Sequence, residues 1–222
     1  MTSYATETHH PHISGLSPDQ VRLIHHAALR ILSETGIAMK AARGRELLLE
    51  AGASESGDRI KIPHNLVYDA LDSAPERITL YDQTGRPTMP LELGRVFYGP
   101  GSDTPYTLDL ETGERRRATK DDVRSFARLA DALDNIDYAM TMGVPRDVRV
   151  GDEFIHGFVE MLKGCTKPMV YTAGNMEDMV NIHPVATAVA GGEDALRDRP
   201  FMLHYAEPIS PLLFPPEAVD QV

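Results

Sequence analysis

The residues best placed to do chemistry sit at the ends of short apolar runs. Asp103 follows Val96-Phe97-Tyr98 and the break Gly99-Pro100-Gly101, with Tyr98 and Tyr106 on either side of it. Tyr171 lies in the run 168–172, and His204, Tyr205 and Glu207 close the run 201–206. A strand that ends in glycines and then displays small polar groups is how barrel and open-sheet enzymes build a site at the carboxyl ends of their strands. Two carboxylates there are also the minimum for an acid–base pair, so a barrel hydrolase or isomerase using Asp103 and Glu207 is one reading. The plainer roles are a turn in which Asp103 bonds its own backbone, and packing of Tyr171 and Tyr205 against a helix layer.

Other reactive residues carry less. Positions 204 and 207 differ by an odd number, so on a regular strand they face opposite sides and make a poor metal pair. Cys165 has no His–Cys pattern near it and reads as a small apolar filler behind a helix. Gly99 and Gly101 suggest a phosphate loop, but the motif is incomplete and Pro100 removes one N–H donor. His25 and His26 fall in mid-helix, where packing or solvent is the ordinary role. His9, His10 and His12 belong to residues 1–15, which read as a loose tail.

The elements that position these residues follow in order. Ser17 and Pro18 start a helix whose apolar residues Val21, Ile24, Ala28 and Ile31 recur at helical spacing up to Gly36. Further helices over 43–51 and 63–71 complete a small helical preface, residues 16–75. The segments 78–81 and 89–91 flank a turn and read as a hairpin. A strand over 96–98 leads to a second hairpin at 106–116, in which Tyr106, Leu108 and Leu110 alternate with polar residues and Thr112-Gly113 turns the chain. Thr119 caps the next helix, with Asp122 three positions on. From there strands near 136–142, 168–172 and 201–206 alternate with helices over 119–133, 151–163 and 176–190. Repeated βα units imply a parallel sheet with right-handed crossovers.

The fold class expected is therefore α/β, about four parallel strands forming the amino-terminal portion of a TIM (β/α)8 barrel, after the helical preface and hairpins. A closed barrel takes roughly 250 residues from its first strand, more than the chain holds beyond residue 96. The expectation is that 76–222 is the first half of a barrel in a longer protein, the last residues being a helix just beginning.

Composition excludes several classes. The 222 residues carry a formal charge of −11, which argues against a nucleic-acid surface. The run Arg115-Arg116-Arg117 lies beside Glu111 and Glu114 and reads as a solvated hairpin edge. A single cysteine excludes an internal disulfide and suits a reducing cytoplasm. No stretch approaches the roughly 18 apolar residues of a membrane span, and the first residues lack the apolar core of a secretory signal.

Taken together, several of these stretches resemble the trimethylamine methyltransferase family. The glycine-broken run with TPY at 104–106 is followed by LDLETGERR at 108–116 and DDVRSFARLADALDNID at 121–137. The opening LSPDQVRLIHHAALRILSETGI at 16–37, TKPMVYTAGNMEDM at 166–179 and YAEPISPL at 205–212 agree with it in order. The resemblance implies a methyltransferase of methylamine metabolism, moving a methyl group from a tertiary or quaternary amine, trimethylamine or a glycine betaine-like compound, to a corrinoid protein. It implies a corrinoid (cobalamin) carried by that partner rather than bound directly, no metal of the chain's own, and a homo-oligomer for the complete protein. Demethylating an ammonium needs no general base, because the leaving group departs as a neutral amine. It needs a cavity that holds the cation and aims one methyl. On this reading Asp103 and Glu207 meet the ammonium or its contacts, and Tyr98, Tyr106, Tyr171 and His204 supply rings or polar contacts around it. The alternative is a catalytically silent half-barrel that acts only as an assembly piece.

Overall fold

Hydrogen bonds local to the sequence fix the first helices. The computed structural model describes residues 15–101 and 103–221, so all but the last residue of the expected tail lies outside it. Ser17 and Gln20 form a reciprocal cap on α1 (Pro18–Arg30), which runs on through a π-helical turn at Ile31–Thr35 to Gly36. Gly36 has a φ of +76°, and a Cβ there would stand 2.5 Å from the Ile60 carbonyl oxygen. Only glycine fits that approach.

The preface is not purely helical. β1 (Ala38–Met39), α2 (Ala42–Glu50), the antiparallel pair β2 (Ser54–Ser56) and β3 (Arg59–Lys61), and α3 (His64–Ser73) surround a core of Ile37, Met39, Ala41, Ala53 and Ile60. The β2–β3 strands are three residues each and β2 is wholly polar, so no alternation marks it in the sequence.

β4 (Ile78–Tyr81) and β5 (Pro87–Leu91) form the expected hairpin. The buried carboxylate of Asp82 anchors its loop by accepting from Thr84 N, Thr84 Oγ1, Arg86 N and Arg86 Nε. The loop is tied to the segments that precede later strands, Tyr81 N donating to Pro200 O and Gln83 N to Thr166 O, both at 2.8 Å. It thus covers the amino-terminal end of the main sheet.

After β6 (Tyr106–Leu108) and β7 (Arg115–Arg117) comes α4 (Lys120–Ala132), capped by Thr119 and Asp122 as the sequence predicts. β8 (Ala139–Met140), α5 (Glu153–Gly164), β9 (Met169–Tyr171), α6 (Met176–Ala190), α7 (Glu193–Asp198) and β10 (Met202–His204) complete the alternation. The three strands are parallel in the order β10-β9-β8. Ala139, Met169 and Met202 share one face, as do Tyr171 and His204 further along. That face meets α4, α5 and α6 through Val123, Ala127, Phe158, Met161, Ile182 and Ala186. Lys167 Nζ closes the turn out of α4 by donating to the carbonyls of Ala130, Leu133 and Ile136.

The fourth strand expected at 96–98 is not formed. Val96 and Tyr98 are 71% and 65% exposed. Asp137 Oδ2 takes the Tyr98 N–H, and Pro100 has no N–H to continue a ladder. The segment nevertheless runs beside β8: Asp137 N donates to Tyr98 O, Asp103 N to Thr141 O and Val144 N to Thr104 O. A Cβ on Gly99 would lie 2.3 Å from the Tyr138 ring, so glycine there lets the backbone lie on that ring.

Past β10 the chain turns back. β11 (Leu213–Phe214) pairs in parallel with β1, and α8 (Pro216–Val219) places Val219 against the preface core. The structure is thus a mixed α/β chain in which β11 and α8 pack back on the preface. Among the described residues no helix is long and apolar enough to cross a membrane.

Candidate functional site

The carboxyl ends of the parallel strands open into a recess of about 260 Å³. Asp103 reaches it from the segment beside β8, Thr172 from the end of β9, and Tyr205 and Glu207 from the end of β10. Thr172 continues the strand alternation on the side opposite Tyr171, and so points away from the helices. Thr172 Oγ1 donates to Asp103 Oδ1 at 2.9 Å. The Tyr205 hydroxyl donates to Glu207 Oε2 at 2.6 Å. That bond, with the charge of Glu207 and then that of Asp103, raises the Tyr205 phenol above its ordinary range.

Asp103 has a φ of +55°, a conformation that aspartate tolerates better than most residues. Its backbone N–H donates to Thr141 O at 2.6 Å, which ties this position to the segment after β8. Phe154 of α5 supplies an aromatic wall, and Glu217 and Gln221 enter from the returning end of the chain. Behind the recess, the buried Asp178 carboxylate accepts from Gly174 N at 2.8 Å while Asn175 Oδ1 caps α6. Burial pushes the Asp178 carboxyl up.

The structure gathers Asp103, Tyr205 and Glu207 in this recess and leaves Tyr98, Tyr106, Tyr171 and His204 outside its lining. Tyr98 is exposed beside Asp137. Tyr106 lies on the β6–β7 hairpin with the Arg115 guanidinium 3.8 Å above its ring, while Leu108 and Leu110 face solvent. Tyr171 is buried edge-on to Phe158, its hydroxyl directed at Met179 Sδ, and burial pushes its phenol up to about 12. His204 stacks obliquely on Tyr171 at 5.2 Å, and burial lowers its imidazole against an opposing contribution from Gln221. β10 ends at His204, so Glu207 lies beyond the strand and its position is not set by strand alternation.

Sequence reasoning missed Thr172, Phe154, Glu217 and Gln221. Thr172 had a usable signal, since it precedes Ala173-Gly174 at the end of a predicted strand. Glu217 and Gln221 had none, because only the return of β11 to β1 brings them near.

The recess has three carboxylates and two aromatic rings, and no lysine or arginine lines it among the described residues. Such a lining favours a cation, and the rings suit one too weakly hydrated to demand a full shell of oxygens. Among the described residues no three histidine, cysteine, aspartate or glutamate side chains cluster as a metal site.

The chain matches the profile described as trimethylamine methyltransferase (MTTB) over residues 2–222. It is 29% identical to the trimethylamine methyltransferase MttB of Desulfitobacterium hafniense over 90% of this chain and 41% of that one. It is 26% identical to a glycine betaine methyltransferase of the same species, covering 92% of this chain and 43% of that relative. A proline betaine:corrinoid methyltransferase of Eubacterium limosum is 28% identical over 93% of this chain and 44% of its own. The chain thus spans well under half the length of these relatives. With the match running through every element from the preface to α8, the chain belongs to the trimethylamine methyltransferase (MTTB) family of methyltransferases.

Proposed function

We propose that this chain holds a tertiary or quaternary methylated amine for transfer of one methyl group to a corrinoid protein. The observation that carries the reading is the acidic, aromatic recess at the strand ends, without a cation in its lining. Asp103 and Glu207 balance the ammonium charge. Thr172 and Tyr205 hold those carboxylates in place, so they need not reorganise when the cation arrives. The rings of Tyr205 and Phe154 meet the methyl groups. No residue need take a proton from a quaternary amine, because its leaving group departs neutral. The corrinoid, carried by the partner, supplies the acceptor for the methyl. The rim at Tyr205, Ala206 and Glu207 is exposed, which keeps a bound methyl within reach of a partner protein.

The three parallel strands and the segment beside β8 are, on this reading, the first quarter-turns of a TIM barrel. The complete protein is a homo-oligomer in a reducing cytoplasm, in keeping with the single buried cysteine. The test is methyl transfer from trimethylamine or glycine betaine to a reduced corrinoid acceptor. The expected result is methylation that requires both the amine and the acceptor. Turnover of a neutral substrate with no acceptor, abolished by Asp103→Asn, would point instead to an acid–base hydrolase or isomerase.

A further inference from the structure

A second chamber adjoins the recess. It has a volume of about 290 Å³ and is walled by Met39, Pro208, Phe214 and Val219. Ala206, Glu207 and Ala218 line both spaces, so the two adjoin at these residues. Their characters differ. One side offers Asp103, Thr172 and Tyr205; the other adds only hydrocarbon and a thioether to the shared residues. The apolar walls come from separate parts of the chain, Met39 on β1, Phe214 on β11 and Val219 on α8. The parallel pairing of β1 with β11 holds Met39 opposite Phe214. The apolar chamber is therefore built by the return of the chain onto the preface.

We infer that the site takes an ammonium compound bearing an apolar arm of about four to six carbons, the arm lying between Met39, Phe214 and Val219. The inference rests on the reading of the recess as an ammonium site. A methylated ammonium head is small beside either chamber, so a compound with methyl groups alone leaves the apolar one without a ligand group. Glu207, at the junction, sits where the charged head would give way to the arm. Burying each further methylene there strengthens binding about fourfold. The gain ends when the chamber is filled.

The experiment is calorimetric titration of the protein with tetramethylammonium and with its ethyl-, butyl- and hexyl-trimethyl analogues. Affinity is expected to rise by about tenfold or more from tetramethylammonium to the butyl compound. Val219→Phe, which fills the apolar chamber, is expected to remove that gain while tetramethylammonium still binds. Equal affinity across the series, with tetramethylammonium bound, overturns the apolar subsite and leaves the ammonium reading standing. Failure of every member to bind overturns both. The wild-type series decides the matter even if Val219→Phe does not fold.

Discussion

Thr172 Oγ1 and Asp103 Oδ1 are joined at 2.9 Å across 69 positions of the chain. Asp103 is also held through its backbone, which adopts φ +55° and donates to Thr141 O. Asp103 is therefore held from two directions, its backbone by the segment after β8 and its carboxylate by the end of β9. Removing the hydroxyl as Thr172→Val leaves the shape but frees the carboxylate. It should weaken tetramethylammonium binding about three- to tenfold while changing stability by about 1 kcal/mol. Equal binding by the two proteins would show that the bond orients nothing.

Asp103→Asn tests the charge itself. Asparagine tolerates a left-handed backbone, so the fold should hold, while ammonium affinity should fall about tenfold or more. Asp103→Val should also lose about 1–2 kcal/mol of stability, because a β-branched residue resists positive φ. Urea midpoints of the two variants separate the effects.

Gly36→Ala places a methyl group against the Ile60 carbonyl and forces alanine into φ +76°. The joint between α1 and β3 has no room to yield, since Ile37 N donates to Ile60 O and Ile60 N to Ile37 O across the same contact. A loss of more than about 2 kcal/mol in chemical denaturation is expected. A wild-type midpoint would mean that the preface is looser than this packing implies.

How much of this was legible depended on whether a feature was local. Ser17 as the cap before Pro18, and Thr119 with Asp122, are signals written within a few consecutive residues, and both caps form as read, Gln20 completing the first. The βα alternation after residue 119 was visible because buried strands between amphipathic helices have their own periodicity. The strand at 96–98 was misread because an apolar run says nothing about where its N–H groups go. One goes to a side chain, Asp137 Oδ2, 39 positions away. Tyr171 and His204 have the composition of site residues, yet pairing in register turns both toward the helices. Glu217, Gln221 and the apolar chamber depend on β11 returning to β1, a pairing of Ala38 with Leu213 far apart in sequence that no short motif encodes.

The hairpin and α4 should show an acid-sensitive tie. Arg116 binds Asp122 through two nitrogens and also reaches Asp109. The guanidinium, with the Thr119 cap, holds the Asp122 carboxyl at about 2, below its ordinary 3.8. A depressed carboxylate adds stability above its unfolded value and loses it as pH falls through the folded one. The contribution, about 1 kcal/mol after solvent screening, should be full above about pH 5 and be largely lost by about pH 2. Wild type and Asp122→Asn should differ in urea midpoint near neutrality and converge on acidification. A gap that stays constant to pH 2 would contradict this.

Cys165 ends α5 in the core, where burial pushes its thiol up to about 12. It should resist thiol reagents at pH 8 in the native protein and react fully in denaturant. Prompt native labelling would mean that the β9 end of α5 opens readily.

The central claim is that the strand-end recess recognises a methylated cation by its charge. The most direct measurement is titration of the protein with tetramethylammonium against neutral tert-butanol, repeated at increasing salt. The account predicts binding of the cation, none of the alcohol at the same concentrations, and loss of cation affinity in Asp103→Asn. Equal binding of the two, or an Asp103→Asn protein that binds the cation as tightly as wild type, would contradict it.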